Sequence, residues 1–346
     1  MSDRSPLLVV ERLTAGFQSN GVFVPAIMDV TFELRRGETL GLMGESGSGK
    51  TVTALSIMNL VGPSARIVAG RVHFNERDLL QLSESELRRV RGAEIGMVFQ
   101  EPASALNPVF TIGDQIEETL LVHRRASRRT SRARAIELLE AVRVPDPDRR
   151  LRDYPHQLSG GLRQRALIAI ALACSPILLI ADEPTTALDV TIQAQILELL
   201  RDLKSRLGLA LLLITHDVGV IAEMADRVAV MYAGRIVEES PAAALFADPK
   251  HPYTRGLLRS VPAGTPGARL PAVPGTVPTP GMLPPGCCFA PRCPSRFAPC
   301  PTAHPGVTRL PGGRTVRCYL HGAAVDPNTP PPHRSPSPIT AVAGKS

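Results

Sequence analysis

Residues 39–60 read TLGLMGESGSGKTVTALSIMNL, and this stretch is the strongest indication of the fold. The apolar run 39–43 predicts a buried strand, and residues 51–60 predict the helix that follows it. The loop between them fits the phosphate-loop pattern G-x-x-x-x-G-K-[ST]. A plain glycine turn explains the loop less well, because the pattern requires a strand before it and a helix after it. We therefore predict an α/β fold that binds a nucleotide.

The phosphate loop predicts how the nucleotide is held. Its glycines let backbone N–H groups turn inward around a β-phosphate, and the N-terminus of the next helix points at the same anion. Lys50 neutralises the β and γ oxygens, and Thr51 can bind Mg²⁺. The predicted binding residues of this loop are Gly44, Glu45, Ser46, Gly47, Ser48, Gly49, Lys50 and Thr51.

A second strand ends in two acids. Residues 177–184 read ILLIADEP, so Asp182 and Glu183 follow an apolar run. Open α/β sheets bind their ligands at this end of the strands. We expect Asp182 to face Mg²⁺, directly or through water, and Glu183 to orient and polarise an attacking water. A polar strand cap before a turn is the structural alternative, and the phosphate loop makes it the weaker one.

The chain changes character near residue 240. Before it, strand-like runs at 94–99, 177–181 and 210–214 alternate with helix-like runs, which predicts a largely parallel sheet in a domain of residues 1–240. Residues from about 101 to 165 read as a helical insertion in that domain. Beyond 240 lie 23 of the 33 prolines and five of the six cysteines. This composition predicts a small extension at 241–325 and a disordered tail at 326–346.

Composition narrows the possible partners. The balance of 39 basic and 32 acidic residues is only modestly positive, and the absence of tryptophan argues against a stacking platform for single strands. We therefore expect no nucleic-acid partner. With no visible signal peptide and no run of about 20 apolar residues, we expect a cytosolic chain that reaches a membrane through a partner.

The sequence leaves the role of one arginine cluster open. A solvated helix face is the plain interpretation, attraction to an anionic membrane leaflet is the functional one, and nucleic-acid binding ranks third. The cluster consists of Arg124, Arg125, Arg128, Arg129, Arg132 and Arg134.

Residues 158–165 read LSGGLRQR, and with the two sites above they carry a family resemblance. From about residue 7 to 320 the chain resembles ATP-binding-cassette (ABC) subunits. The resemblance implies a P-loop NTPase domain of the ABC type, with a helical subdomain and a small Cys/Pro-rich C-terminal extension. It implies that Ser159, Gly160 and Gly161 contact the γ-phosphate of ATP held by a partner subunit.

The same resemblance implies four further site residues. Gln100 would touch Mg²⁺ or the water, and His216 would contact the γ-phosphate. Asp189 lies in a segment that crosses the dimer interface in this family. Phe17 is the candidate for stacking on adenine. With Glu183 as the base, the predicted catalytic residues are Glu183, His216 and Gln100, and the predicted Mg²⁺ ligands are Thr51, Gln100 and Asp182.

Other stretches resemble the D-type ATPase of dipeptide, oligopeptide and nickel importers. They are GESGSGKT, FQEP at 99–102, ALNP at 105–108, ADEPTTALDVTIQAQIL at 181–197 and HPYT at 251–254. The resemblance implies an ATPase that powers peptide import from the cytoplasmic face of a bacterial membrane. Its implied partners are an F-type ATPase subunit, two permeases and an extracytoplasmic binding protein.

Alternative functions stay open at this point. The same machinery could import nickel, opines, glycosides or another small solute. A soluble ABC ATPase acting on DNA or ribosomes is more remote, because the long coiled-coil insertions or paired cassettes of such proteins are absent. An exporter lacks support, because no membrane span is fused to the chain.

The cysteines of the extension suggest a metal site. Cys287, Cys293, Cys300 and Cys318 resemble the four cysteines that can hold a [4Fe–4S] cluster in peptide importers. Among these four cysteines, the close Cys-x₂₋₄-Cys pairs that structural zinc sites usually show are absent. Zinc and unligated thiols remain alternatives, and Cys288 could compete with Cys287 as a ligand.

Overall fold

The computed structural model describes residues 5–19, 21–260 and 273–326. The strands in chain order are β1 (Pro6–Ser19), β2 (Val22–Arg35), β3 (Thr39–Met43), β4 (Ala65–Phe74), β5 (Arg77–Asp78), β6 (Ile95–Val98), β7 (Leu178–Asp182), β8 (Ala210–Thr215), β9 (Arg227–Tyr232), β10 (Arg235–Pro241), β11 (Thr308–Leu310) and β12 (Arg314–Val316). The helices are α1 (Lys50–Ile57), α2 (Glu84–Val90), α3 (Pro102–Ala105), α4 (Ile112–Val122), α5 (Ser131–Ala141), α6 (Pro147–Arg150), α7 (Gly160–Leu172), α8 (Val190–Leu207), α9 (Val218–Met224), α10 (Ala242–Ala247) and α11 (Pro252–Arg259).

The larger sheet has the order β11-β12-β10-β9-β3-β8-β7-β6. The strands from β9 to β6 run parallel, as the alternating sequence pattern predicts. Every residue of β3, β7 and β8 is buried, which explains their nearly unbroken apolar sequences. Parallel strands covered on both faces place their carboxyl ends at one common edge.

The smaller sheet was not predicted. Its four strands have the antiparallel order β2-β1-β4-β5. Its apolar face packs against the larger sheet and α1 in one core that includes Phe32, Leu42 and Ile57. Helix α1 ends at Ile57, three residues before the predicted end at 60.

The stretch between β6 and β7 is helical, from α3 through α7. Leu120 of α4, Leu139 of α5 and Leu167 of α7 are buried in one core with Leu199 of α8. Thr111 begins α4 with a capping box in which it exchanges hydrogen bonds with Asp114.

The arginine cluster lies in the turn that follows α4 and at the start of α5. All six side chains are exposed, as a solvated face requires. Two of them form surface ion pairs, Arg132 with Asp148 at 2.8 Å and Arg134 with Glu137 at 2.7 Å.

The C-terminal extension is built onto the larger sheet. Strand β12 pairs with β10, where Val316 lies opposite Glu238, and β11 completes the edge. Asp326, the first residue of the predicted tail, is buried, and its backbone N–H donates to the carbonyl of His304 at 2.8 Å. The rest of the predicted tail lies outside the described residues. Within the described residues, no helix combines the length and the apolar character needed to cross a membrane.

Candidate nucleotide-binding site

The sheet register brings the predicted site residues to one edge. Met43 pairs with Thr215, and Asp182 pairs with Ile214, so β3, β7 and β8 end at the same level. The phosphate loop follows β3, Glu183 follows β7 and His216 follows β8. These three predicted elements therefore meet because parallel strands that are in register also end in register.

The phosphate loop needs its glycines for two different reasons. Gly49 has φ +105°, and a side chain there would also meet Ile27 at 2.8 Å. Gly44 has an ordinary φ, but a Cβ would lie 2.2 Å from the carbonyl oxygen of Met231. Gly49 thus supplies a backbone conformation that L-residues rarely adopt, and Gly44 supplies close packing on β9.

Lys50 is folded back into its own loop. Its Nζ donates to the carbonyl oxygens of Gly44 at 2.8 Å and Glu45 at 3.1 Å, and it lies 4.0 Å from the carboxylate of Glu183. Burial lowers the pKa of Lys50, while the charges of Glu183, Asp182 and Glu45 oppose that shift. A phosphate group placed in the loop would add the negative charge that this buried ammonium lacks.

Asp182 fits the predicted Mg²⁺ site. It is 1 % exposed, and its Oδ1 is buried without a hydrogen-bond partner. Burial raises its pKa, and a hydrogen bond with Thr51 acts in the opposite direction. An unsatisfied buried carboxylate oxygen beside a threonine hydroxyl is a donor set suited to a hard divalent cation.

Glu183 is the meeting point of the predicted catalytic residues. Its carboxylate accepts from Gln100 Nε2 at 3.2 Å and lies 3.1 Å from His216 Nδ1. Thr186, which sequence reasoning missed, donates its hydroxyl to the same carboxylate at 2.8 Å. Burial acts to raise the pKa of Glu183, but the hydrogen bonds of Thr186 and His216 and the charges of His216 and Lys50 outweigh it. The pKa therefore lies below its ordinary value, and the carboxylate stays ionised, as the predicted role of a base requires.

The backbone at Glu183 is strained. Its φ is +47°, in the left-handed region that a non-glycine residue seldom occupies. Its N–H donates to the carbonyl of Ile214 at 2.8 Å, which fixes this conformation across the sheet. Such strain is common at active sites, where it aims a side chain that a regular strand would point elsewhere.

The segment 158–165 begins a helix rather than joining the phosphate loop. Ser159 caps α7, and its hydroxyl accepts from the N–H of Leu162 at 3.4 Å. Ser159 and Gly160 are exposed, and Asp189 caps the neighbouring α8 in the same way. No hydrogen bond between described residues joins 159–161 to residues 44–51. These groups face outward, where an exposed helix N-terminus can accept an anion from another molecule.

Phe17 lies near the end of β1, where it pairs with Val24 and Ala65. Its side chain is 41 % exposed. The stacking of this ring on adenine stays a prediction.

The four predicted cluster cysteines line one small cavity of about 20 Å³ in the extension. Burial raises the pKa of each thiol for which a shift is resolved, and that of Cys287 rises to about 12. Cys288 is buried and does not line this cavity. In the described residues, no three or more His, Cys, Asp or Glu side chains are grouped closely enough to hold a metal ion.

Comparison with known proteins agrees with this geometry. Residues 27–186 match the ABC transporter family, and residues 237–300 match the oligopeptide/dipeptide transporter C-terminal region. Two relatives from Bacillus subtilis (strain 168) are each 50 % identical to the chain. They are the dipeptide transport ATP-binding protein DppD, over 91 % of this chain and 94 % of the relative, and the oligopeptide transport ATP-binding protein AppD, over 92 % and 97 %.

A solved structure shares the fold. The dimeric structure of MJ0796, a bacterial ABC transporter cassette, superposes with a TM-score of 0.61 and is 30 % identical. The match covers 68 % of this chain and 98 % of the cassette. From the site geometry and these matches, the chain belongs to the ATP-binding subunits of ABC transporters, as an ABC-type ATPase with a C-terminal part of the oligopeptide/dipeptide transporter kind.

Proposed function

We propose that this ATPase powers the import of short peptides through a membrane transporter. The observation that carries the catalytic part is the grouping of Gln100, Lys50 and His216 around the carboxylate of Glu183. The two 50 % identical relatives, which are named for dipeptide and oligopeptide transport, support the substrate class. The same machinery with nickel or another small solute is the alternative that the uptake experiment below addresses.

Each residue of the site has a proposed role in ATP hydrolysis. ATP binds with its phosphates in the loop 44–51, where Lys50 neutralises charge. Thr51, Asp182 and Gln100 would hold Mg²⁺, which offsets the charge of the phosphate oxygens. Glu183 takes a proton from a water molecule while the oxygen of that water bonds to the γ-phosphorus. The bond from that phosphorus to the bridging oxygen breaks, and ADP leaves with the electron pair. His216 would contact the γ-phosphate.

A second ATPase subunit is part of the proposal. Ser159 and Gly160 are exposed and Gly161 is half-buried at a helix N-terminus, and the matching MJ0796 structure is a dimer. We propose that they contact the γ-phosphate of ATP bound by an F-type partner, and that Asp189 lies at the same interface. Two permeases and an extracytoplasmic binding protein complete the transporter, which places this subunit at the cytoplasmic face of the membrane.

The test uses Glu183→Gln, which keeps the size of the side chain and removes the base. We expect the variant to bind ATP with wild-type affinity and to hydrolyse it about a hundredfold to ten-thousandfold more slowly. Cells whose only copy carries this variant should lose uptake of a labelled tripeptide. Hydrolysis at the wild-type rate would contradict the role of Glu183. Lost hydrolysis with unchanged tripeptide uptake, in cells lacking other peptide importers, would contradict the substrate, and labelled nickel would then be the next solute.

We also propose that Cys287, Cys293, Cys300 and Cys318 can hold a [4Fe–4S] cluster. The support is that all four line one cavity in the extension. The cavity has room for about one water molecule, and its cysteines are not grouped as metal ligands, so the surrounding loops would have to rearrange for a cluster to bind. Bound to such a cluster, the four thiolates would tie together the loops of the extension.

The cluster is tested by metal content after anaerobic purification. We expect about four irons per chain, as a [4Fe–4S] centre requires, and loss of the iron in Cys300→Ser. Cys174→Ser is the matched control, because Cys174 is a buried thiol that does not line the cavity. One zinc per chain, or no metal, would contradict the cluster.

A further inference from the structure

The phosphate loop is held from outside by the C-terminal extension. The backbone N–H of Glu45, the second residue of the loop, donates to the hydroxyl of Tyr253 at 2.9 Å. The carboxylate of Glu45 accepts two hydrogen bonds from the guanidinium of Arg292, at 3.0 Å and 3.2 Å. One loop residue is thus fixed twice, through its backbone and through its side chain, by residues more than 200 positions away.

Arg292 is itself locked in place. Its Nε donates to the carbonyl of Pro274 at 2.7 Å, and one terminal nitrogen donates to the carbonyl of Val273 at 3.1 Å. The guanidinium carbon lies 5.7 Å from the ring centre of Tyr232. The side chain is only 7 % exposed, so its charge depends on Glu45 for compensation. A guanidinium held this way fixes the direction of the carboxylate that it binds.

Tyr253 and Arg292 together form a clamp on Glu45. This clamp connects directly to the phosphate-binding lysine. The carbonyl oxygen of Glu45 accepts from Lys50 Nζ at 3.1 Å and from the N–H of Ser48 at 3.2 Å. A shift of Glu45 therefore changes the position of Lys50 and of a backbone N–H group of the loop. These are the groups that the phosphates contact in the proposed function.

The base of the clamp is a buried aromatic cluster. Tyr232 and Tyr253 are fully buried, with ring centres 4.6 Å apart, and Phe289 lies 5.3 Å and 5.5 Å from them. Arg292 ends the short helical turn that begins just after Phe289. Tyr232 belongs to β9 of the nucleotide domain, whereas the other members belong to the extension. The clamp therefore rests on packed rings and not on a loose loop.

We propose that Arg292 is a positioning residue for ATP binding and hydrolysis, which acts through Glu45 and shares this role with Tyr253. The inference rests on the proposed function, because it takes the loop 44–51 as the phosphate site. It gives the extension a part in the ATP site of its own subunit. The competing explanation is that Arg292 only attaches the extension to the nucleotide domain.

Arg317 provides a matched control. Like Arg292 it belongs to the extension, its side chain is 9 % exposed, and it pairs with a carboxylate of the nucleotide domain, Asp29 on β2. Among the described residues, its hydrogen bonds and ion pairs go to Asp29, Asp326 and Val237, and none goes to the phosphate loop. Loss of either arginine should weaken the attachment of the extension, but only loss of Arg292 should disturb ATP.

The experiment measures ATP affinity, kcat, KM and Tm for the full chain with Arg292→Gln, Arg292→Lys, Glu45→Gln and Arg317→Gln. We expect Arg292→Gln to weaken ATP binding about tenfold, a change typical of coupling between sites. The ATP affinity of Arg292→Lys should lie between those of the wild type and Arg292→Gln, because lysine keeps the charge and loses the bidentate geometry. Arg317→Gln should lower Tm to a similar extent and leave ATP affinity unchanged.

The double variant sharpens the test. Residues that act as one unit are not additive, so Glu45→Gln with Arg292→Gln should bind ATP no more weakly than the worse single variant. Wild-type affinity in Arg292→Gln, or an equal loss in Arg317→Gln, would overturn the inference alone. Failure of the wild-type chain to bind ATP would overturn the proposed function and the inference with it.

Discussion

Asp182 is a single residue whose burial costs the protein stability. Its buried Oδ1 has no partner, and burial raises its pKa. A group whose pKa is raised in the folded protein stabilises the fold below its unfolded pKa, and that contribution is lost as pH rises. At neutral pH the ionised carboxylate therefore destabilises the protein until a cation compensates it.

We expect Asp182→Asn to raise the Tm of the nucleotide-free protein, by about 2–4 °C for each kcal/mol gained. The reason is that a neutral amide of the same shape replaces a buried charge. The further rise in Tm that MgATP gives the wild type should shrink strongly in the variant. Thermal unfolding with and without MgATP measures both effects. A lower Tm without nucleotide would show that the carboxylate is already compensated.

Sequence could predict the residues that gather where the parallel strands end. Asp182, Glu183 and His216 come after apolar runs, and a parallel sheet places such positions at one edge. Arg292 could not be predicted, because it lies 247 positions from Glu45 and no sequence periodicity relates the two. Tyr253 was recognised only as part of a family pattern, since nothing local shows that its hydroxyl reaches a backbone N–H of the loop.

At the scale of elements, a substitution in the first turn of α7 can test function without disturbing the fold. A Cβ on Gly160 would lie 3.5 Å from Leu188, an ordinary contact, and the residue has no positive φ. Gly160→Ala should therefore fold, and it should gain up to about 1 kcal/mol from the lower entropy of its unfolded chain.

In the proposed dimer, the same methyl group would be added at the helix start that approaches the γ-phosphate of the partner's ATP. We expect Gly160→Ala to keep the ATP affinity of the single subunit and to lower ATPase activity in the assembled transporter. Thermal unfolding and nucleotide titration of the subunit are compared with ATPase assays of the complex. Full activity in the complex would exclude a close approach of this helix start to ATP.

His251, at the start of α11, makes the stability of the protein depend on pH. Its Nδ1 accepts from the N–H of Tyr253 at 3.0 Å and so caps the helix. Burial lowers its pKa from 6.5 to about 3, and the charges of His321 and Arg255 add to the shift. As pH falls below 6.5, the unfolded chain takes up a proton that the folded chain refuses. Stability is therefore lost between pH 6.5 and about 3.

We expect His251→Asn to lose less stability than the wild type on going from pH 7 to pH 5, by about 2 kcal/mol. Asparagine can cap the helix without titrating. Any stability that the substitution loses through poorer packing is the same at both pH values, so it cancels from the difference between them. Urea unfolding at the two pH values gives the difference. Equal pH dependence in both proteins would mean that His251 is protonated in the fold.

The antiparallel sheet was missed at this scale for a physical reason. Strand β1 shifts register between Val10 and Leu13 and again before Ala15. Each bulge breaks the alternation of buried and exposed residues by which a half-buried strand is recognised. The parallel strands were predicted because burial on both faces makes them continuous apolar runs.

At the scale of the whole molecule, the extension and the nucleotide domain share a sheet. Strand β12 pairs with β10, Arg317 reaches Asp29, and Arg292 reaches Glu45. Calorimetry should therefore show no separate transition for the extension, because its strands cannot leave without exposing the common core. A distinct transition at lower temperature, absent from a chain ending near residue 260, would contradict this coupling.

The change of composition near residue 240 predicted a separate C-terminal region. Composition reports which residues a segment contains, but not which strand edge it will pair with. The pairing of Val316 with Glu238 depends on a return of the chain over more than 70 residues, and no local signal announces it. The exact boundary between the two regions stays a prediction.

The shared sheet also bears on how the protein is made. Strand β10 ends at Pro241, yet its neighbour β12 ends at Val316, so a ribosome must add 75 residues between them. At roughly 5–20 residues per second, the edge of β10 waits on the order of ten seconds for its partner. During that time its unpaired backbone can join another nascent chain. Synthesis speed across residues 242–316 should therefore govern how much of the protein escapes aggregation.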